Sequence, residues 1–292
     1  MTTKTDLADA VLEAAHRTGL DASRVELLWN HASSVFLLSP AQVVGRVSRD
    51  AEDQQRARIS LAVTRWLVGQ GFPATAPADV DQPVSVGGAT VTFWRYYPQE
   101  GRERPPAAAL GAMLRQLHHL APPPVGLSPY RPLQTLGDTI EHSTAIPDED
   151  RDWLAIRRAE LLDLYESLNF PLGMGFIHGD AYPGNTLWDG DRPLLGDWDE
   201  VGIGPRELDL VNTHQGVRLG RSAAERQRFT DTYGYDVTAW PGFSVLREMR
   251  DLHTLASYIR LADGGDDYAR EQLAFRLSTL KAGEDQAPWN AR

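Results

Sequence analysis

A chain of 292 residues with 42% apolar and 24% charged residues has the make-up of a folded globular protein, and it is long enough for two lobes. It has no cysteine, which excludes disulfides and thiolate metal sites and makes a reducing cytoplasm the default location. A net charge of −11 argues against nucleic-acid binding and would steer a cationic small molecule, and no run approaches the ~20 apolar residues of a membrane helix.

The first ninety-odd residues read as a small mixed lobe. Asp6 to Thr18 is predicted helical, with Leu7, Val11, Leu12 and Ala15 on one face. Three short β-type runs follow, Val25–Trp29, Val35–Leu38 and Val43–Val47, separated by the polar turns Asn30–Ser34 and Ser39–Gln42. Ala51 to Gln70 reads as one long helix, stopped by Gly71 and Pro73. Val84–Val86 and Thr90–Tyr97 flank Gly87-Gly88 as a hairpin. Pro98 to Pro106 is polar and proline-bearing, and it reads as the connection to a second lobe.

The second lobe is predicted mostly helical. Leu110, Met113, Leu114 and Leu117 recur at i, i+3, i+4 and i+7, which marks one buried face; Leu154, Leu161, Leu162 and Tyr165 mark another. Ala121 to Tyr130 is a proline-rich loop. Phe176–Ile177, Thr186–Trp188 and Leu194–Leu195 are short strand candidates. From Pro205 onward the chain reads as helix, with Val245, Met249, Leu252, Ala256 and Ile259 on an apolar face. The predicted organisation is therefore 1–97 and 98–292. The acidic stretch Ala262 to Asp267 is either a solvated loop or a contact for a cation.

The short strands carry His178-Gly179-Asp180-Ala181-Tyr182-Pro183-Gly184-Asn185 and then Asp197-Trp198-Asp199. An Asp able to take a hydroxyl proton stands five positions before an Asn and seventeen before a second Asp. Phosphoryl transfer needs these parts: a group that orients and deprotonates the acceptor, here Asp180, and hard oxygen ligands for a magnesium ion, here Asn185 and Asp197. Protein need supply only one or two such ligands, since phosphates and waters complete the shell. His-Gly-Asp-x4-Asn should arise by chance in on the order of one chain in a thousand, so the string is specific where its single residues are not.

These segments resemble the aminoglycoside phosphotransferase and choline kinase family, which shares the protein-kinase-like fold. The resemblance extends to Thr92–Tyr97, Leu114–His118 and Gly204–Leu210, and spans about Val25 to Asp209. It implies an α+β, bilobal protein-kinase-like fold: a small N-terminal lobe with an antiparallel sheet and one long helix, and a larger, mostly helical C-terminal lobe. It implies a small-molecule kinase that uses ATP or GTP with Mg2+ and passes the γ-phosphate to a hydroxyl of an antibiotic, a sugar or an amino alcohol. Arg46 then falls where the family has a basic residue on the third strand, for the α- and β-phosphates. Ser33 and Ser34 belong to the loop over the phosphates, which lacks Gly-x-Gly-x-x-Gly. Trp94 to Tyr96 would offer backbone groups to the base. His178 and Asp209 brace the catalytic loop, and Asp199 either assists the metal or caps its own loop. The family's helix Glu has no counterpart near Arg58 to Ser60; Glu52 is the nearest candidate. That departure keeps a nucleotide-binding pseudokinase as an alternative, and a metal-dependent hydrolase built on the same acids and His178 is the third reading.

Overall fold

The computed structural model describes residues 4–30, 34–48 and 53–290. Ser33 and Glu52 lie outside the described residues. Packing divides the chain into two units, one of Met1–Pro105, Ala121–Leu127 and Gly184–Val201, the other of Pro106–Leu120, Ser128–Pro183 and Gly202–Arg292.

The first unit contains α1 (Lys4–Thr18), β1 (Val25–Asn30), β2 (Ser34–Leu38), β3 (Val43–Ser48), α2 (Asp53–Gly69), β4 (Val84–Val86) and β5 (Ala89–Arg95). The five strands form one antiparallel sheet in the order β1-β2-β3-β5-β4. Strand β3 alternates in burial, so Val43 and Val47 enter the core with Val11, Phe36 and Phe93 while Arg46 points to the other face. Helix α1 packs on the core face through Ala10, Val11, Ala14 and Ala15; Leu12, expected on that face, is 40% exposed. Small residues let the helix lie close to the sheet, and this selects the alanine side over Leu12.

The same unit holds β7 (Thr186–Asp189) and β8 (Arg192–Leu195), a hairpin in register from Thr186 opposite Leu195 to Asp189 opposite Arg192. The Gln99 side chain ties it down, donating to the Trp188 carbonyl and accepting from the Trp188 amide, each at 2.9 Å.

The second unit is mostly helical: α3 (Ala107–Leu117), α4 (Gln134–His142), α5 (Asp148–Glu166), α6 (Glu207–His214), α7 (Ala223–Tyr233), α8 (Phe243–Asp263) and α9 (Asp267–Lys281). Its strands β6 (Met174–Ile177) and β9 (Gly202–Pro205) pair antiparallel. Helix α3 buries the predicted face, Leu110, Met113, Leu114 and Leu117. It approaches α7 at Gly111, where a Cβ would stand 2.6 Å from the Phe229 carbonyl oxygen. In α8 the buried face is Leu246, Met249, Leu252, Leu255, Ala256 and Ile259, one register away from the expected Val245.

Two elements had no sequence signal. Helix α4 lies beyond the proline-rich loop, in a stretch to which no element was assigned, and its buried apolar face is only Leu136 and Ile140. Strand β9 is Gly-Ile-Gly-Pro, which has no alternation; pairing with β6 makes it a strand. The acidic stretch is structural at two positions. Asp263 accepts from the amides of Thr144 and Ala145, each at 2.8 Å, and Asp266 caps α9 by accepting from Ala269 N–H at 2.9 Å. No helix among the described residues is long and apolar enough to cross a membrane.

Candidate active site

In the first unit, the β7–β8 register carries on past the strands, and Gly196 N–H donates to the Asn185 carbonyl at 2.8 Å. This fixes Asn185 beside the residue that precedes Asp197. Trp198 is 1% exposed, stacks edge-on against Phe72 at 5.7 Å and donates its indole N–H to the Leu195 carbonyl at 2.9 Å. With Trp198 anchored inward, the residues on either side turn outward. Asp197 adopts a left-handed backbone with φ of +61°, a sparsely populated conformation for a residue with a Cβ.

Both carboxylates meet Arg46. Its Nη1 lies 3.0 Å from Asp197 Oδ1 and its Nη2 2.6 Å from Asp199 Oδ2. Burial opposes the Arg46 charge, but the Asp199 and Asp197 carboxylates outweigh it and hold its pKa above the ordinary value. Among the described residues, two carboxylates stand against this one guanidinium. That donor set of hard oxygens, with the Asn185 amide on the adjoining turn, suits a magnesium ion whose other ligands come from phosphate and water.

The remaining first-unit candidates are scattered along the sheet. Ser34 is buried at the start of β2, opposite Val47 of β3. Trp94 is half-buried and its indole N–H donates to Thr92 Oγ1 at 2.9 Å. Tyr96 N–H donates to the Gln42 carbonyl at 3.0 Å, so that amide already has a partner within the protein.

In the second unit, the loop after β6 is built around Asp209 of α6, which is fully buried. Its two carboxylate oxygens accept from the backbone amides of His178 and Gly179, each at 2.8 Å. His118 of α3 also contacts it, with Nε2 3.0 Å from Asp209 Oδ2 and Nδ1 2.8 Å from the Tyr233 hydroxyl. Burial pushes the Asp209 carboxyl up, but the His118 hydrogen bond, the nearby histidines and the His178 amide outweigh it, and its pKa is lowered. Gly179 takes a φ of +83°, which only glycine adopts freely, and Asp180 N–H then donates to His178 Nδ1 at 3.3 Å.

The Asp180 carboxylate pairs with Arg250 of α8, at 2.6 Å from Nη2, and Asn212 of α6 lies 3.5 Å from the same oxygen. Both partners line a small cleft with room for little more than a water molecule. His253, one turn beyond Arg250 on α8, and Tyr130 add polar side chains, and Leu133, Leu246 and Met249 contribute apolar surface. Burial, and then Arg250, push His253 down to about 4, so its imidazole is neutral at neutral pH. Arg250, Asn212 and His253 escaped the sequence reading. Arg250 stands seventy positions from Asp180 in an ordinary helical pattern, so no local spacing marks it.

The geometry can be set beside known proteins. Comparison with curated proteins finds no match. Among solved structures, an amicoumacin kinase in complex with AMP-PNP, Ca2+ and Ami is 14% identical, with a TM-score of 0.69 and coverage of 91% of this chain and 90% of that one. A choline/ethanolamine kinase family protein from Mesorhizobium loti is 19% identical, with a TM-score of 0.65 and coverage of 94% and 93%. A spectinomycin phosphotransferase in complex with ADP and spectinomycin is 17% identical, with a TM-score of 0.61 and the same coverage. At these identities the likeness establishes the fold, an α+β protein-kinase-like one. The family model described as the phosphotransferase enzyme family matches residues 23–249, most of the chain and both motif segments. The chain therefore belongs to the phosphotransferase enzyme family, and it is a transferase of the kinase type.

Proposed function

We propose that this protein transfers the γ-phosphate of ATP or GTP to the hydroxyl of a small molecule, with Mg2+ bound to the triphosphate. The observation that carries the reading is the Asp180 loop: Asp209 pins its two preceding amides, and residues lining a cleft hold its carboxylate. Asp180 orients the acceptor hydroxyl and takes its proton. The acceptor oxygen forms its bond to the γ-phosphorus as the bond to the β-phosphate oxygen breaks, and the nucleoside diphosphate leaves with that electron pair. Asn185 and Asp197 would hold the magnesium ion, with Asp199 in support, and the bound ion would supply charge neutralisation on the transferring group. Arg46 contacts the phosphates, and 1–97 supplies the nucleotide-binding part, with Ser33, Ser34, Trp94 and Tyr96 at its loop and strand end. Relatives that act on amicoumacin and spectinomycin put natural-product antibiotics among the acceptors to test, with sugars and amino alcohols.

The test is a transfer screen with ATP and GTP over these acceptors, read by the mass gain of one phosphoryl group and by diphosphate release. Product that forms without nucleotide would instead support the hydrolase reading. Nucleotide binding with no phosphate ester on any acceptor would support the pseudokinase.

A further inference from the structure

Two arginines of the second unit pair with acids of very different standing. Arg218 and Asp251 are each 2% exposed, and the pair is well satisfied: Arg218 Nε donates to Asp251 Oδ2 at 2.8 Å, and its Nη1 donates to the carbonyls of Glu284 and Ala287. A guanidinium so supplied holds structure. Arg250 of α8 is 12% exposed, and its Nε is buried with no hydrogen-bond partner. Taking a guanidinium out of water is unfavourable, and a donor without a partner adds to that. Its ion pair with Asp180 offsets only part, since that side chain is itself 21% exposed. A local arrangement that stability does not favour, built on a motif acid, points to the work of that acid.

The Asp180 loop needs such a hold. Asp209 pins the backbone at His178 and Gly179, but a pinned backbone does not fix the side-chain torsions of the next residue. Arg250 Nη2 fixes the carboxylate by Oδ1 at 2.6 Å, and Asn212 Nδ2 approaches the same oxygen at 3.5 Å. Both come from helices, α8 and α6, which place a side chain more firmly than a loop does. The guanidinium also lies 6.0 Å from the centre of the Tyr182 ring, on the same loop as Asp180. The opposite reading is that the pair shuts the base away. The exposures speak against it, because the carboxylate side keeps more surface than the arginine.

We propose that Arg250 is a positioning residue for the transfer: by holding Oδ1 it sets the Asp180 carboxylate in the orientation that meets the acceptor hydroxyl, with Asn212 as a weaker second hold. This rests on the phosphotransferase reading above, in which Asp180 takes the proton of that hydroxyl. It requires no ligand in the small cleft beside the pair.

The experiment uses the full chain with Mg2+ and ATP or GTP. Phosphate release to water is measured alongside transfer to the acceptors of the screen above, and crystal structures of the wild type and of Arg250→Met record the Asp180 side chain. Arg250→Met is expected to lower kcat roughly 10- to 100-fold, the scale of a misplaced reacting group, with the nucleotide KM within about twofold. Its Tm should be unchanged or higher, because an apolar side chain replaces an incompletely paired ion. Arg250→Lys keeps the charge without the planar fork and should recover part of kcat, and Asn212→Ala should lose less than Arg250→Met. The Asp180 carboxylate should leave its single orientation in the Arg250→Met crystal. A rate in Arg250→Met equal to the wild type overturns the proposal, and a higher rate means that the pair shuts the base away. Failure of Arg250→Met to fold, or a fall in Tm that accounts for the lost rate in both Arg250 variants, makes Arg250 a structural residue and overturns it too. An unmoved Asp180 carboxylate in the Arg250→Met crystal does the same, and leaves the phosphotransferase reading standing. A carboxylate released in that crystal, with no transfer to water or to any acceptor by the wild type, supports the hold and counts against the transfer reading instead.

Discussion

Two arginines in this chain hold acids of the signature motifs, and they do so differently. Arg46 in the first unit faces two carboxylates of the described residues, Asp197 and Asp199. Arg250 in the second unit faces one acid among the described residues, Asp180, and has a buried Nε without a hydrogen-bond partner. The same residue type on the same kind of partner therefore sits in two different charge settings, and stoichiometry and burial set the difference. The supports differ as well. The outward acids of the first unit are set by a buried Trp198, an apolar anchor. The loop of the second unit is set by a buried carboxylate, Asp209, with hydrogen bonds to two amides.

The strongest way to break this comparison is at Asp180. Asp180→Asn keeps the shape of the loop and removes the base, and turnover is expected to fall roughly 10²–10⁴-fold with nucleotide affinity unchanged. A wild-type rate in that variant would falsify the assignment. Next comes the support beneath it. Asp209→Ala strands the His178 and Gly179 amides and His118 in the interior, and should cost about 3 kcal/mol or more of stability. Denaturant unfolding checks this, and a loss within a few tenths of zero would mean that Asp209 braces nothing.

A pH series tests how far the second unit buries its polar groups. Burial pushes His214 down to about 4 from its ordinary 6.5. Between those values the unfolded chain binds a proton that the native state does not. Stability is therefore expected to decline as pH falls from about 6.5 to about 4 and to level off on either side, by at most about 3 kcal/mol from this residue. His214→Phe, placed between the rings of Phe229 and Phe243, should flatten Tm against pH in that window. An unchanged slope in the variant would assign the loss to other groups, His253 among them. The smallest of the four effects belongs to the first unit. Asp197→Ala should raise the magnesium concentration needed for half-maximal rate by at least the roughly 10–100-fold that loss of an outer-sphere partner costs. Stability should change little, since that side chain is 43% exposed.

Much of the fold was legible where periodicity was strong. The buried face of α3 could be read directly, because apolar residues at helical spacing have one way to be buried together. Leu12 and Val245 were misassigned because a helix with several apolar residues offers more than one face, and only its neighbour selects among them. Strand β9 and helix α4 were invisible because their order comes from pairing and packing. The candidate site divides along the same line. Asp180, Asn185 and Asp197 lie within eighteen residues, and their types and spacing state a chemistry before any coordinate does.

What the sequence by itself determined about this protein is the reaction class: local spacing of acids and an amide, on a chain with a family-wide pattern, points to phosphoryl transfer. What only the tertiary structure decided is the company those residues keep. Asp209 reaches the loop across thirty positions, Arg46 reaches Asp197 across a hundred and fifty-one, and Arg250 reaches Asp180 across seventy. Electrostatic partnership depends on distance in space and on burial, and neither is written in the order of the chain.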